Sequence, residues 1–207
     1  MDHDRVAKAG YYFAQRAYRA VLTSFVRTDD GMLELWVTNS GRVAESLDLR
    51  VEVATFAGAR IVDEQVAVVA PAASSRCVWS AAASDYGPGP DRYAWVSEAS
   101  ARTEPNRLFF APLKDLPLAS GGIELCVGPN TDGPNAFGPN TAGTAELTLT
   151  SLGYSYLARV YAPAPGVTFS RNYLDLRDGQ EATIIVRGLP EGFDPAGLRA
   201  AAYGGRR

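Results

Sequence analysis

The sequence predicts a mainly β protein, with two β-sandwich domains in tandem behind one short N-terminal helix. Strand-length runs in which apolar and polar residues alternate with a period of two recur along nearly the whole chain, as in Leu33-Glu34-Leu35-Trp36-Val37-Thr38. Turn-forming groups such as Asp29-Asp30-Gly31 and Asn39-Ser40-Gly41 separate those runs at short intervals. A stretch rich in Pro, Ser and Gly, Leu116 to Gly122, then divides the 207 residues into two halves. Each half is near the roughly 100 residues that an immunoglobulin-like sandwich takes.

Residues 1–19 hold the helix. The helix is expected over 3–20, where Val6, Gly10, Phe13, Ala14 and Ala17, with Val21 just beyond, recur at helical spacing, and Asp2 or Asp4 suits the cap. Tyr11, Tyr12, Phe13 and Tyr18 give it more aromatic surface than one narrow stripe, so it needs something to lie against. They form a candidate partner surface, and packing on the sandwich that follows is the simplest use for it.

The first sandwich spans 20–118. Its strands are expected at 20–27, 32–39, 46–56, 60–69, 75–80, 91–99 and 106–111. Leu33, Leu35 and Val37 form one apolar set, and Leu47, Leu49, Val51 and Val53 a second, and both are assigned to the core. Pro71 ends the fourth strand, Gly87-Pro88-Gly89-Pro90 ends the loop after the fifth, and Pro112 stops the seventh.

The second, smaller sandwich spans 119–207. It opens with Ile123-Glu124-Leu125-Cys126-Val127. Gly-Pro-Asn then repeats at 128, 133 and 138, a tract that forbids a regular strand and reads as an expanded loop, with Phe137 as its notable residue. Strands follow around Leu147 and Leu149 and over Tyr154 to Tyr161. The organising stretch runs from Gly166 to Leu189. There Leu174 and Leu176 alternate with Tyr173, Asp175 and Arg177, while Ala182, Ile184 and Val186 alternate with Thr183, Ile185 and Arg187. Asp178-Gly179 between the two runs accepts positive φ, as hairpins require. Ser170-Arg171-Asn172 reads as a corner, with Asn as the residue that tolerates the left-handed region. The stretch from Pro195 to Tyr203 is expected to add an edge strand before a frayed tail.

Three segments carry a resemblance. Phe169-Ser170-Arg171-Asn172-Tyr173-Leu174-Asp175-Leu176-Arg177-Asp178-Gly179-Gln180 resembles the F-S-D-N-Y-F-D-L-x-P-G-E pattern in the last domain of the β-mannosidase branch of glycoside hydrolase family 2. It departs at Arg171, Asp178 and Gln180. Asn106 to Leu118, with Phe109, Phe110, Pro112, Lys114 and Asp115, resembles the N-x-Y-F-F-x-P-x-K-D-L-x-L segment that ends the penultimate domain of those enzymes. Tyr11 to Tyr18 is similar to the last helix of their catalytic barrel. The resemblance implies the accessory C-terminal part of such an enzyme, with both catalytic glutamates on a barrel outside this chain. Asn106, Phe109, Phe110, Lys114, Asp115, Asn172, Tyr173, Asp175 and Gly179 are then pattern residues with structural roles. Lys114 and Asp115 are candidates for pairing at the joint between sandwiches.

The residues themselves assign no catalysis to the chain. A retaining glycosidase needs two carboxyl groups about 5 Å apart. None of the ten glutamates has a context that pairs it with another, and Glu34, Glu52, Glu124 and Glu146 alternate with apolar residues as on a solvated sheet face. His3 is the one histidine and lies in the terminal segment, so a histidine-based nucleophilic site lacks a held base. No metal-ligand spacing, phosphate loop or dinucleotide fingerprint occurs, so no cofactor is expected. Cys77 and Cys126 are read as buried free thiols, with a disulfide between domains as the alternative. The net charge of −3, without a basic stripe, excludes a nucleic-acid footprint, and no apolar run is long enough for a membrane span. The first ten residues lack a signal peptide's apolar core, which reads as cytoplasmic.

Three functions fit. The first is a non-catalytic support that packs on a catalytic barrel, or self-associates through its aromatic surface. The second is a free-standing carbohydrate-binding module using exposed aromatics, with Trp36, Tyr93 and Trp95 as the candidate sugar platform. The third is a generic protein-interaction domain.

Overall fold

The computed structural model describes residues 7–118, 122–128, 143–194 and 197–203. The expected helix cap at Asp2 or Asp4, His3, most of the Gly-Pro-Asn tract with Phe137, Pro195-Ala196 and the last four residues lie outside that set. The chain divides into two compact units, one of residues 15–117 and one in which residues 1–14 join 118–207.

The first unit holds strands β1 (Val21–Arg27), β2 (Leu33–Asn39), β3 (Glu45–Thr55), β4 (Arg60–Ala70), β5 (Ser74–Ala81), β6 (Arg92–Glu98) and β7 (Asn106–Phe109). They form a three-stranded sheet ordered β1-β2-β5 and a four-stranded sheet ordered β4-β3-β6-β7. Every pairing within them is antiparallel. Alternation along each strand sends Leu33, Leu35 and Val37 from β2, Leu47, Leu49, Val51 and Val53 from β3, and Ala94 and Val96 from β6 into one shared core. Asn39 ends β2 with its side chain buried. Its carboxamide donates to the carbonyls of Val43 (2.8 Å) and Ala70 (3.0 Å) and accepts the Gly41 N–H (2.9 Å), which sets the loop to β3. A one-turn helix α2 (Ala83–Tyr86), not anticipated from the sequence, buries Tyr86, which stacks on Phe110 at 5.1 Å and donates to the Gly31 carbonyl at 2.7 Å.

The second unit holds β8 (Gly122–Val127), β9 (Thr144–Leu152), β10 (Ser155–Tyr161), β11 (Thr168–Phe169), β12 (Leu174–Leu176), β13 (Glu181–Arg187) and β14 (Arg199–Ala201). Its sheets are ordered β12-β10-β14 and β11-β13-β9-β8, over a core of Leu147, Leu149, Ala158, Val160, Leu174, Leu176, Ile184 and Val186 among others. The edge strand expected near the C-terminus is β14, paired to β10. Asp178-Gly179 does form a turn, with Gly179 at φ 68° and the Gln180 N–H bonded to the Arg177 carbonyl at 2.9 Å. It is not a hairpin, because β12 and β13 lie in different sheets. The two runs share inward periodicity because both face one core from opposite sides.

Helix α1 (Ala9–Ala17) is shorter than expected and is no separate body, since residues up to Ala14 cluster with the C-terminal sandwich and not with the sandwich that follows in sequence. Both cysteines are free, and both are exposed, contrary to the buried reading. They occupy outward positions on β5 and β8, each at the edge of its sheet.

With separate cores, Leu49→Ala in the first unit and Ile184→Ala in the second, both fully buried, are each expected to destabilise their unit by about 2–5 kcal/mol. Urea denaturation followed by hydrogen exchange in each unit checks this.

Candidate functional site

The C-terminal corner is the most tightly specified part of the second unit. Strand β10 bulges between Ser155 and Ala158, with Leu157 at φ 53°. Asp175, on β12, accepts the Leu157 N–H at 3.0 Å and so supplies the partner that the bulge removes. One turn further along β10, Asn172 replaces a strand altogether. Its side-chain oxygen accepts the Val160 N–H at 2.8 Å and its amide donates to the Val160 carbonyl at 2.7 Å. The same oxygen accepts the Tyr173 N–H at 3.0 Å. A single carboxamide thereby imitates a ladder neighbour, with the donor and acceptor that a backbone would present.

That clamp leaves Tyr173, and not Asn172 as the sequence suggested, in the left-handed region at φ 54°. For a residue with a β-carbon this conformation costs roughly 1–2 kcal/mol. The displaced backbone turns the Tyr173 ring toward helix α1, where its centroid lies 5.8 Å from that of Tyr12. Tyr12 is 2% exposed and hydrogen-bonds to the Asn172 side chain and the Phe169 backbone. Burial pushes the Tyr12 phenol above its ordinary pKa, and those hydrogen bonds offset only part of the effect. Of the four aromatic residues assigned to a partner surface, Tyr12 is therefore an internal anchor. Tyr11, Phe13 and Tyr18 remain exposed, Tyr18 at 90%.

The outer face of the four-stranded sheet corrects the sugar-platform reading. Tyr93 and Trp95 do share a face, but they are 4% and 1% exposed, so neither presents a ring to a sugar. On β3 beside Trp95 sits Glu52, fully buried where a solvated carboxylate was expected. Two arginines flank it, Arg60 Nε at 3.2 Å and Arg50 Nε at 3.8 Å from Oε1. Arg50 in turn holds Asp63 with two bonds of 2.7 Å. Phe56 packs on Tyr93 and Phe109, and the Arg107 guanidinium lies 5.0 Å over the Phe109 ring. The other buried carboxylate among the described residues, Glu98, accepts the Arg102 N–H at 2.7 Å. These acids are used as structural acceptors, one among arginines and one at a backbone cap.

Asn106, Phe109 and Phe110 of the pattern also have structural work. Asn106 donates to the Thr23 carbonyl at 2.6 Å and accepts the Arg107 N–H at 2.8 Å, tying β7 to β1 across the sandwich. Phe109 points to the outer face and Phe110 to the core, as their alternation requires. Lys114 and Asp115 lie within a 3-10 turn (Leu113–Asp115) and are exposed, and among the described residues neither makes an ion pair.

Trp36 alone of the three platform residues is half-buried, on the outer face of the three-stranded sheet. Sequence reasoning missed the Glu52 network. Its available signal was β6, where Tyr93-Ala94-Trp95-Val96 is apolar without alternation, the mark of a strand covered on both faces.

Residues 31–115, within the first sandwich, match the family model described as Mannosidase Ig/CBM-like domain. Among solved structures the chain is similar to a β-D-mannosidase from Dictyoglomus thermophilum, with a TM-score of 0.78 at 16% identity, over 96% of this chain and 23% of that one. It is also similar to the exo-chitosanase of Amycolatopsis orientalis, with a TM-score of 0.58 at 14% identity, over 94% of this chain and 27% of that one. The search of curated proteins found no match. At these identities the structural likeness establishes the fold, and the chain spans about a quarter of either protein's length.

Asn172→Ala strands the Val160 N–H and C=O, and each buried unmade bond costs about 1–3 kcal/mol, so a loss of roughly 2–6 kcal/mol is expected by urea denaturation. Tyr12 gives a pH signature. Because its folded pKa is raised, its contribution is complete below the ordinary tyrosine value near pH 10 and falls away as pH rises through the folded value. The stability difference between wild type and Tyr12→Phe should therefore narrow from pH 8 to pH 11, and a constant difference would contradict the burial argument.

Proposed function

We propose that this chain is a non-catalytic accessory region of a β-mannosidase-like glycoside hydrolase, whose task is to pack on a catalytic barrel. The observation that carries the reading is the order of parts. A helix, a Mannosidase Ig/CBM-like sandwich and a smaller sandwich follow one another along a fold that covers 96% of this chain but 23% of a solved β-D-mannosidase. The internal chemistry supports it. Pattern residues Asn106, Asn172, Tyr173 and Asp175 hold strands and the helix in place. The two buried carboxylates bind arginines and a backbone N–H, an arrangement that holds no acid and nucleophile for glycoside cleavage.

The partner face follows from α1. Tyr12 spends its ring on the C-terminal sandwich, while Tyr11, Phe13 and Tyr18 stay exposed around it. A barrel is the partner that this surface suits, and self-association is what covers it when the chain is isolated.

Two measurements test the assignment. Purified chain should hydrolyse neither aryl β-mannosides nor aryl β-glucosaminides, and turnover above background would overturn the accessory role. In light scattering it should self-associate as concentration rises, and the double variant Tyr11→Asp/Tyr18→Asp should shift the midpoint at least tenfold upward. A wild-type chain that stays monomeric throughout would remove the partner face from the proposal.

A further inference from the structure

The 11-residue strand β4 ends its sheet on one side, with β3 as its one strand neighbour among the described residues. Which of its peptide groups face outward follows from β3. The Asp48 carbonyl accepts the Ala99 N–H at 3.2 Å, just past the end of β6, so even positions of β3 turn toward β6 and odd ones toward β4. Those odd positions, Leu47, Leu49, Val51 and Val53, pair with Val68, Val66, Glu64 and Val62. The alternate residues of β4, among them Gln65, Ala67 and Val69, therefore turn their peptide groups off the sheet. The direction is visible at one end, where the Arg76 guanidinium reaches the Val69 carbonyl from β5.

Natural sheets blunt such an edge with lysine, proline, a short strand or a bulge. β4 holds no lysine and no proline. A bulge near Ile61 and the contact of Arg76 at Val69 mark its two ends, and the centre at Gln65 carries neither device. Ile61, Gln65 and Val69 are all exposed. About Gln65 the strand is nearly its own complement. Laid antiparallel across a two-fold axis there, a second copy sets Ile61 against Val69, Val62 against Val68, Asp63 against Ala67 and Gln65 against Gln65. Arg60, Asp63 and Glu64 then each face an uncharged residue. An axis at Asp63 or Glu64 puts like charges directly opposite, which destabilises a ladder. An axis at Val66 or Ala67 sets Val69 against Asp63 or Gln65 and loses the aliphatic match. Charge and apolar pattern together select one register.

We propose that this edge pairs with the same edge of a second copy of the chain, in a two-fold antiparallel β4–β4 ladder centred on Gln65. The contact is isologous, so it closes at a dimer and does not propagate. One strand pair covers less surface than a standard interface, so the dimer is weak and reversible. It uses no residue of α1, and it is independent of the accessory role.

Sedimentation equilibrium under reducing conditions, from micromolar to millimolar concentration, tests it on the Tyr11→Asp/Tyr18→Asp chain, in which association through α1 is weakened. A monomer–dimer equilibrium with nothing larger is the expected result. Gln65→Lys and Gln65→Glu each bring like charges together at the axis and should weaken the dimer about fivefold or more. An equimolar mixture of those two variants should regain at least the unsubstituted affinity, because this register alone sets position 65 against itself. Ala67→Pro removes an outward N–H and no bond to β3, and it should abolish the dimer while the chain stays folded. In hydrogen exchange the Gln65 and Ala67 amides should slow as concentration rises, while the Leu49 amide inside the sheet does not change. A monomer throughout, assemblies beyond a dimer, or a dimer indifferent to charge at position 65 would overturn the proposal. Should Ala67→Pro fail to fold, the mixture of Gln65 variants remains decisive. Association through α1 is read separately, as the part of wild-type association that Gln65→Lys leaves intact, so either surface can fail while the other stands.

Discussion

The carboxamide of Asn172 is the contact on which the C-terminal unit turns. A chain that passes from one sheet of a sandwich to the other must leave backbone groups of the strand it abandons without a ladder partner, and burying those groups unbonded is expensive. Here β11 and β12 lie in different sheets, and the corner between them crosses beside Val160. Asn172 meets both polar groups of Val160 at once, something a hydroxyl or a carboxylate cannot do with one donor and one acceptor in a single plane. The geometry that makes this possible forces the next residue into a left-handed conformation, which glycine would adopt without penalty. Tyrosine stands there because its ring is the surface that receives Tyr12. Strain at Tyr173 and docking of the helix are therefore one arrangement, in which the local cost is offset by aromatic burial in a contact more than 150 residues away in sequence.

The first unit solves a different problem. Its four-stranded sheet is buried on both faces around β3 and β6, so polar residues on the outer side cannot rely on water. A carboxylate at Glu52 is tolerable in that setting only if it is paired and hydrogen-bonded. Arg60 and Arg50 approach it from the same sheet, and Asp63 holds Arg50 in a two-bond fork that fixes its plane. Replacing such a network by apolar residues is often neutral or stabilising in other proteins. Its value is thus one of register: an Arg-Asp fork between β3 and β4 matches one alignment of the two strands and penalises a slip by a residue.

Much of this was legible in the sequence, and the failures share a cause. Period-two alternation located β1 to β7 to within a residue or two at most ends, and it assigned Leu33, Leu35, Val37, Leu47, Leu49, Val51 and Val53 to the core correctly. Alternation states which residues share a face. It does not state whether the opposite face is wet. Glu52 was read as solvated for that reason, and Tyr93 with Trp95 was read as accessible, whereas both sit on a covered face. The same limit misread Asp178-Gly179. The dipeptide announces a tight turn, and local chemistry cannot distinguish a turn within a sheet from one that steps between sheets. Asn172 shows the converse. Its pattern position was recognised, but the reason for an asparagine lies in Val160, twelve residues back, and no local rule reports that contact.

Within the first unit, the contrast between its two sheets argues for a division of labour. Both carry tryptophan on the outward side, and the difference lies in the neighbours. Trp95 stands among arginines, acids and other rings, charges that need mutual compensation and therefore burial in a fixed geometry. Trp36 stands among hydroxyls and one carboxylate, Glu34, which takes its Nε1–H, and these groups are content in water. The first environment loses free energy if it is opened, because an unpaired buried charge is left behind. The second loses little when it meets water, because its hydroxyls and its one carboxylate are solvated there. A face with charges locked to one another must stay covered, and a face of hydroxyls around one anchored indole need not. Composition around the ring, and not the ring itself, decides which face of a sheet can stay open.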